Sequence, residues 1–376
     1  MEAVFWICLG LVVYPYAIYP IVLTLLARSF GSRAGSAADG PLPSVTVILP
    51  VHNEAYRCGR KVGNLLELDY PAGSLDIIVV GDGCEDDSLD RAKEAGGDRV
   101  TVIALLERGG KARALNAGLE AATGEIVMFT DAGIMLERGA LRHLVADFRD
   151  PRVGCVSGED RIEGGASEGL YGRLEILLRR EESALHSIAG ASGCLYAQRR
   201  ELCSPFLAGM APDFLSVLNT VRAGKRALAA PGARGSMAAT AGHRAEFDRK
   251  VRTLLRGMTA LFAHAGLLNP FRYGAFSFIL WSHKVLRWLA PLPALGCLVT
   301  SWLLREQVLY LSLFGLQFLL YAIALAGVLW PSLARSVVLV RFGAFFVLVH
   351  AAALKALLLW LVGVRVEIWE PTRRPG

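Results

Sequence analysis

The stretch Gly124-Glu-Ile-Val-Met-Phe-Thr-Asp-Ala-Gly133 decides how the rest of the chain is read. Apolar or β-prone residues from Ile126 to Thr130 run into an aspartate where the run stops. This pattern predicts a buried strand that delivers a carboxylate to the carboxyl edge of a sheet, where open α/β folds bind ligands. A hard divalent cation carrying a nucleotide diphosphate needs such a carboxylate. An aspartate at a strand end also serves as ordinary turn chemistry, so the neighbouring stretches have to separate the two roles.

Upstream, strand and helix alternate. Strands are expected at Val45 to Leu49, Leu75 to Val80 and Val100 to Leu105, with helices at 55 to 68, Glu85 to Ala95 and Lys111 to Ala122. Such alternation implies an α/β fold with a doubly wound, mostly parallel sheet. Each strand runs into polar residues: Pro50-Val-His-Asn-Glu54, Gly81-Asp-Gly-Cys-Glu-Asp-Asp-Ser88, Arg108-Gly-Gly-Lys-Ala-Arg-Ala-Leu-Asn116 and Asp131. In a doubly wound sheet all four clusters are expected along one edge.

These runs, taken in order, resemble glycosyltransferase family 2. The similarity rests on Val45-Thr-Val-Ile-Leu-Pro-Val-His-Asn-Glu54, Val79-Val-Gly-Asp-Gly-Cys-Glu-Asp-Asp-Ser88, Gly110-Lys-Ala-Arg-Ala-Leu-Asn116 and Phe129-Thr-Asp-Ala132, and covers roughly residues 44 to 257. It implies the GT-A fold, a nucleotide-sugar donor (a UDP- or GDP-sugar), a divalent cation (Mg or Mn) and an inverting transfer. It further implies that Asp82 contacts the base or ribose, that Asn53, Glu54 and Lys111 are nucleotide-side positions, and that Asp131 is the first aspartate of an Asp-x-Asp metal motif. The chemistry suits these residue types. Charge builds on a leaving diphosphate, which metal and lysine stabilise. The chain departs from the pattern at Gly133, where the second metal-motif aspartate would stand. Mg²⁺ takes few protein ligands, so Asp131 with diphosphate oxygens can suffice, and His243 is a candidate further contact.

The second half carries the acceptor-side groups. Asp213, in Met210-Ala-Pro-Asp-Phe-Leu215, stands at a helix start, where an acid is commonly only a cap. The resemblance instead makes it the catalytic base, by its interval to Gly224. A base is needed because a sugar hydroxyl is a poor nucleophile until its proton is taken. Ala191 to Arg200 resembles the family's acceptor-loop strand. Glu246 to Thr253 resembles its Gln-x-x-Arg-Trp region, with Arg249 at Gln, Arg252 at Arg and Thr253 at Trp. Arg252 would contact the diphosphate, a role suited to arginine's donor fork. Acids and arginines at helical spacing in 170 to 187, such as Glu175, Arg179 and Glu182, read as a solvated helix face.

Both ends of the chain are apolar. Hydrophobic residues make up 53% and the mean hydropathy is +0.42, which points to membrane segments. Residues 1–27 are expected to form a transmembrane helix, 28–43 a linker, and 44–272 the glycosyltransferase domain. Beyond these are expected an interfacial amphipathic helix at 274–288, transmembrane segments within 289–363 and a tail at 364–376. Ser277, His283, Lys284 and Arg287 share one side of that amphipathic stretch. Lys355 inside the last apolar segment suggests that it lies flat or re-enters. Arg28 and Arg33 after the first segment place the following domain in the cytoplasm, at the plasma (inner) membrane of a multi-pass protein. The net charge of +6 comes without zinc-finger or basic-zipper patterns, which argues against nucleic acid. Seven scattered cysteines suggest a reducing compartment. The function expected is inverting transfer of one sugar to a lipid-linked or surface-glycan acceptor at the cytoplasmic membrane face. The alternative is a catalytically silent scaffold that keeps the fold but has lost metal binding through Gly133.

Overall fold

The computed structural model describes residues 1–31, 41–163, 166–238 and 242–366. Most of the expected linker and the end of the tail lie outside these residues. At the N-terminus, α1 (Glu2–Val13) and α2 (Tyr19–Phe30) continue one another through a π-type turn at Tyr14–Ile18. The strands are β1 (Val45–Val51), β2 (Leu75–Asp82), β3 (Val100–Leu105), β4 (Ile126–Thr130), β5 (Met135–Leu136), β6 (Val153–Glu163), β7 (Leu195–Arg199) and β8 (Arg226–Ala238). Between them lie α3 (Ala55–Leu66), α4 (Ser88–Gly96), α5 (Lys111–Ala121), α6 (Ala140–Ala146), α7 (Ala166–Leu185) and α8 (Pro212–Arg222). After the sheet come α9 (His243–Ala263), α10 (Pro270–Ile279), α11 (Leu286–Leu289), α12 (Pro291–Leu303), α13 (Val308–Leu329), α14 (Pro331–Ser336) and α15 (Val338–Leu361).

Among the described residues eight strands form one mixed α/β sheet in the order β3-β2-β1-β4-β7-β6-β8-β5. The first four are parallel, as the alternation predicts. Every residue of β1 and β4 is buried, which explains why they read as unbroken apolar runs. Pro50 is tolerated inside β1 because the ladder to β4 ends at Ile48↔Phe129. The chain steps outward from β1 to β2 to β3 and then returns to β1's other side with β4. That reversal is the topological switch point, and the carboxyl ends of β1 and β4 flank it. One apolar layer packs α3 and α6 on one face, and a second packs α5, α8 and α9 on the other.

Sequence reading missed β8. Its residues are mostly small, and Pro231 interrupts them. The β6–β8 ladder is parallel and breaks register between Ser157 and Glu159, opposite the stretch that holds Pro231. Proline cannot donate there, so an irregularity rather than a strand end accommodates it.

The face read as solvated on α7 needs a correction. Glu182 is fully buried: its Oε1 accepts from Tyr19 at 2.8 Å and lies 2.5 Å from His283 Nδ1, and its Oε2 accepts from the Ala189 N–H at 2.9 Å. Glu175 lies 3.1 Å from His283 Nε2 and pairs with Arg287. The polar side of the 274–288 stretch therefore packs on α7 carboxylates, which the α7 sequence alone could not reveal. Arg179 faces Asp160 at 3.8 Å.

Among the described residues, three helices are long and apolar enough to cross a membrane: Glu2–Phe30, Val308–Leu329 and Val338–Leu361. A pair bent by 53°, Pro270–Leu289 with Pro291–Leu303, passes the same test together. The α15 helix lies on α9. Ala352 and Ala356 share a core with Leu255, Met258 and Leu261, and Phe262 meets Trp360 with ring centroids 4.5 Å apart. Lys355 is exposed on α15, and its Nζ lies 5.2 Å from the Phe247 ring on α9.

Gly124 opens the stretch that starts β4, and there the backbones nearly touch. A Cβ at Gly124 would lie 2.6 Å from Thr46 N. Gly124→Ala is therefore expected to destabilise the fold by about 1–3 kcal/mol, as overpacking does. A thermal midpoint equal to wild type in detergent would show that β1 and β4 can part at no cost.

Candidate active site

The site gathers at the carboxyl ends of the parallel strands. Three backbone devices shape it. Asn53, at the end of β1, is the only non-glycine residue at positive φ (50°) among the described residues, and its Oδ1 accepts from the Glu85 N–H at 2.9 Å. Glycine takes the left-handed positions at Gly83 and Gly110 (φ 61° and 86°). Asp82, 1% exposed at the end of β2, accepts from the Gly109 N–H at 2.7 Å and the Gly110 N–H at 2.8 Å, one with each oxygen. That carboxylate holds the turn entering α5, where a negative group also complements the helix dipole.

The turn sets Lys111 at the first position of α5. Its Nζ donates to Asp131 Oδ1 at 2.5 Å and to the Gly193 carbonyl at 3.2 Å. Burial is the largest influence and opposes the lysine's charge, but Asp131, Cys194 and Asp213 together outweigh it and hold the amine above its ordinary pKa. Beyond Gly193 lies Asp213, in the first turn of α8. A Cβ at Gly193 would lie 3.8 Å from the Asp213 carboxyl. The N-cap of α8 is Ala211, with no side-chain cap, so Asp213 does not have the capping position. Burial pushes the Asp213 carboxyl up, and Lys111, Lys284 and Arg256 pull it back only in part.

These groups line one cavity of about 230 Å³: Lys111, Asp131, Gly193 and Asp213 with Arg249, Arg252, Thr253 and Arg256 of α9. Arg249 forks onto Glu246 at 2.6 and 2.7 Å, and Arg256 donates twice to the Met210 carbonyl, at 3.1 and 2.8 Å. Asn53, Glu54 and Asp82 do not line this cavity. Asp82 acts on it through the Gly109–Gly110 turn. Glu54 pairs with Arg57 at 3.0 Å, and its carboxyl is raised by burial and, to a smaller extent, by Asp131. The side chain of His243 lies outside the described residues.

Four groups at the site escaped the sequence reading. Asp160, at the far end of β6, lines the cavity. Thr130 and Tyr196 line it too, and the buried Thr130 hydroxyl has no hydrogen-bond partner among the described residues. A buried hydroxyl left so costs about 1–3 kcal/mol, which a ligand can offset. Lys61 of α3 is fully buried behind Asp131, and its Nζ donates to the Ile134 carbonyl at 2.7 Å. Asn64 exchanges two hydrogen bonds with the Leu136 backbone, so α3 clamps the segment that follows Asp131. A lysine next to Arg60 in a polar helix gives no sequence signal of such a role.

A divalent cation can be weighed against this donor set. Asp131 offers the carboxylate oxygen that Lys111 does not hold. Among the described residues no three His, Cys, Asp or Glu side chains converge as a ready metal cage. Gly133 leaves open space, with nothing within 4 Å of an added Cβ. This fits an ion of the Mg²⁺ type, held by one carboxylate and otherwise by substrate phosphates and water.

Residues 46–203 match the model of the family described as glycosyl transferase family 2. The poly-beta-1,6-N-acetyl-D-glucosamine synthase of Staphylococcus aureus (strain COL) is 29% identical over 140 residues, 36% of this chain and 32% of that protein. The enzyme of the same name from Staphylococcus epidermidis is 28% identical over 159 residues, 40% of this chain and 38% of that protein. The chain thus spans about a third of the length of these curated relatives. Among solved structures, the mannosyltransferase PcManGT from Pyrobaculum calidifontis, in complex with GDP-Man and Mn²⁺, superposes with a TM-score of 0.72. It is 25% identical, and the match covers 95% of this chain and 99% of that one. The resemblance to glycosyltransferase family 2 thus stands on sequence and fold together, and the sheet with its membrane-length helices is GT-A-like.

Burial pulls the Lys61 amine down to about 7 from an ordinary 10.5. Between those values the unfolded chain holds a proton that the folded protein has released, so folded stability rises with pH across that window. Lys61→Met removes the linkage. Its thermal midpoint is expected to exceed wild type by most at pH near 6 and by least near pH 10. A gap independent of pH would mean that the amine titrates alike in both states.

Proposed function

We propose that this glycosyltransferase-family-2-like chain is an inverting glycosyltransferase that moves a sugar from a nucleotide diphosphate to a lipid-linked or surface-glycan acceptor. One observation carries the reading: a single small cavity holds a carboxyl with a raised pKa, Asp213, beyond Gly193 from the Lys111–Asp131 pair, with Arg252 on its wall. The relatives named as glycan synthases and the mannosyltransferase seen with GDP-Man and Mn²⁺ support the same chemistry.

In this mechanism Asp213 accepts the proton of the acceptor hydroxyl as the oxygen attacks the anomeric carbon. Lys111 and Arg252 bind the diphosphate that departs on the opposite side. Asp131 would hold the divalent cation, which when bound neutralises charge on that leaving group. In-line displacement inverts the anomeric centre. Asp82, Asn53 and Glu54 belong to the nucleotide side, with Asp82 ordering the turn that presents Lys111. The apolar helices would set the catalytic domain against the cytoplasmic face of the plasma membrane, with the stretch at 274–288 in its interface. A silent scaffold has no use for the raised carboxyl of Asp213 beside Lys111, Lys284 and Arg256.

Asp213→Asn keeps the shape but cannot take the proton. Turnover is expected to fall by about 10² to 10⁴ while UDP or GDP affinity holds. Loss of both together would place Asp213 in the nucleotide pocket. In wild type the acid limb of the turnover profile should lie above the ordinary carboxylate range, because the base works only when deprotonated. An acid limb at the ordinary aspartate value would count against a buried base.

Gly133→Asp has room for its side chain and is expected to retain turnover, whereas Asp131→Asn should lose it along with the EDTA sensitivity of nucleotide binding. Metal-independent nucleotide binding in wild type, as tight with EDTA as without, would remove Asp131 from a metal role.

A further inference from the structure

The apolar helices enclose a second cavity, of about 640 Å³, within the usual size range of small-molecule sites. Its shape follows from its walls. Along the N-terminal helix it runs from Phe5 to Tyr16, about 16 Å at 1.5 Å per residue. On α13 it extends from Leu313 to Ile323 and on α15 from Leu339 to His350, so three helices line it over similar lengths. The result is a long, narrow, hydrocarbon-lined slot parallel to the helices.

The two ends differ. Around Phe5 the wall is aromatic and aliphatic, with Tyr310 edge-on to Phe5. At the other end Tyr16 and His350 meet at 3.4 Å, and two cations lie against wall rings: Arg287, paired with Glu175, at 5.4 Å from Tyr16, and Lys250, 3.6 Å from Glu246, at 5.6 Å from Phe345. Lys250 belongs to α9, which carries five basic residues against two acidic ones. One turn of that helix holds both Lys250 and the cavity-lining Arg249 and Arg252.

We propose that this slot holds the hydrocarbon tail of the acceptor lipid, with a phosphate-bearing head at the Tyr16–Lys250 end beside α9. The inference rests on the transferase reading and specifies its acceptor. A tail in the slot enters from the hydrocarbon layer, as its walls require. It leaves the head next to the helix that forms one wall of the catalytic cavity. A phosphate there meets the positive surplus of α9, and a bilayer lipid without net charge gains nothing from it.

The test uses the full chain in nanodiscs of phosphatidylcholine and a diazirine-bearing long-chain alkyl phosphate, without nucleotide sugar. Labelling is expected on peptides carrying Val12 and His350, displaced by unlabelled dodecyl phosphate and not by dodecanol. Val12→Trp fills the slot and should cut that labelling about tenfold, equivalent to roughly 1.4 kcal/mol of site affinity, with nucleotide binding intact as the sign of a folded protein. Lys250→Gln should keep the labelling but erase the preference for phosphate over alcohol. Labelling spread over outward residues such as Phe318 and Leu319, and indifferent to Val12→Trp, would overturn the proposal in favour of ordinary bilayer contact. A phosphate preference that survives Lys250→Gln would overturn the placement of the head. Donor turnover is measured separately. Slot labelling without any sugar transfer sinks the transferase reading alone, and transfer to a water-soluble acceptor without slot labelling sinks this one alone.

Discussion

The ion pair of Lys111 with Asp131 is the interaction on which the arrangement of the site depends. Its two ends come from different structural decisions. Asp131 ends the central strand β4 at the switch point, and Lys111 opens α5 after the outermost parallel strand. They meet only because Asp82 ties down the Gly109–Gly110 turn. The pair is partly buried, at 11% and 23% side-chain exposure, so removing one partner strands the other's charge. Breaking a fully buried pair costs about 3–5 kcal/mol, and residual solvent lowers that here. An incoming diphosphate and cation would rearrange the same two charges: phosphate takes the lysine and the cation takes the aspartate. In the absence of substrate the pair keeps each charge satisfied and aimed at the cavity.

A second set of buried charges connects the sheet domain to the apolar helices. Glu175 and Glu182 of α7 receive Tyr19 from the N-terminal helix and His283 and Arg287 from the α10–α11 segment. These groups can be buried only together, since each alone would leave a charge or donor unmatched in an apolar setting. The network therefore fixes the angle at which the helices meet the domain. It lies close to the chemistry as well: Lys284, beside His283, has its Nζ 5.3 Å from the ring of Phe214, the neighbour of Asp213.

The parallel half of the fold was legible in the sequence because buried parallel strands are written as continuous apolar runs, each followed by its polar cluster. Residues that act at strand ends, such as Lys111 and Asp131, inherit that legibility. The second half was not, because β8 is built of small residues around Pro231 and depends on β6 for its existence. Partners distant in sequence were equally hidden. Glu182 looks like a solvated acid until His283, 101 residues away, is placed beside it. Lys61 looks like a helix-surface lysine until the Ile134 carbonyl covers it. Asp82 shows the opposite limit. Its motif marked it as important, but only coordinates show its two oxygens engaged by backbone N–H groups, so that its influence on the cavity runs through the turn.

Gly133 shows how a site can lose a carboxylate without losing its logic. A second aspartate there would add negative charge beside Asp131, which already draws on Lys111 and lies over the buried Lys61. With glycine, the carboxylate of Asp131 is already matched by Lys111, and the buried Lys61 amine carries only part of a charge near neutrality. Restoring the second carboxylate would shift the balance toward metal binding in the absence of nucleotide, so affinity for Mn²⁺ measured without nucleotide should rise in Gly133→Asp. Equal affinity in the two proteins would show that Lys111 and Lys61 do not set the charge at this edge of the sheet.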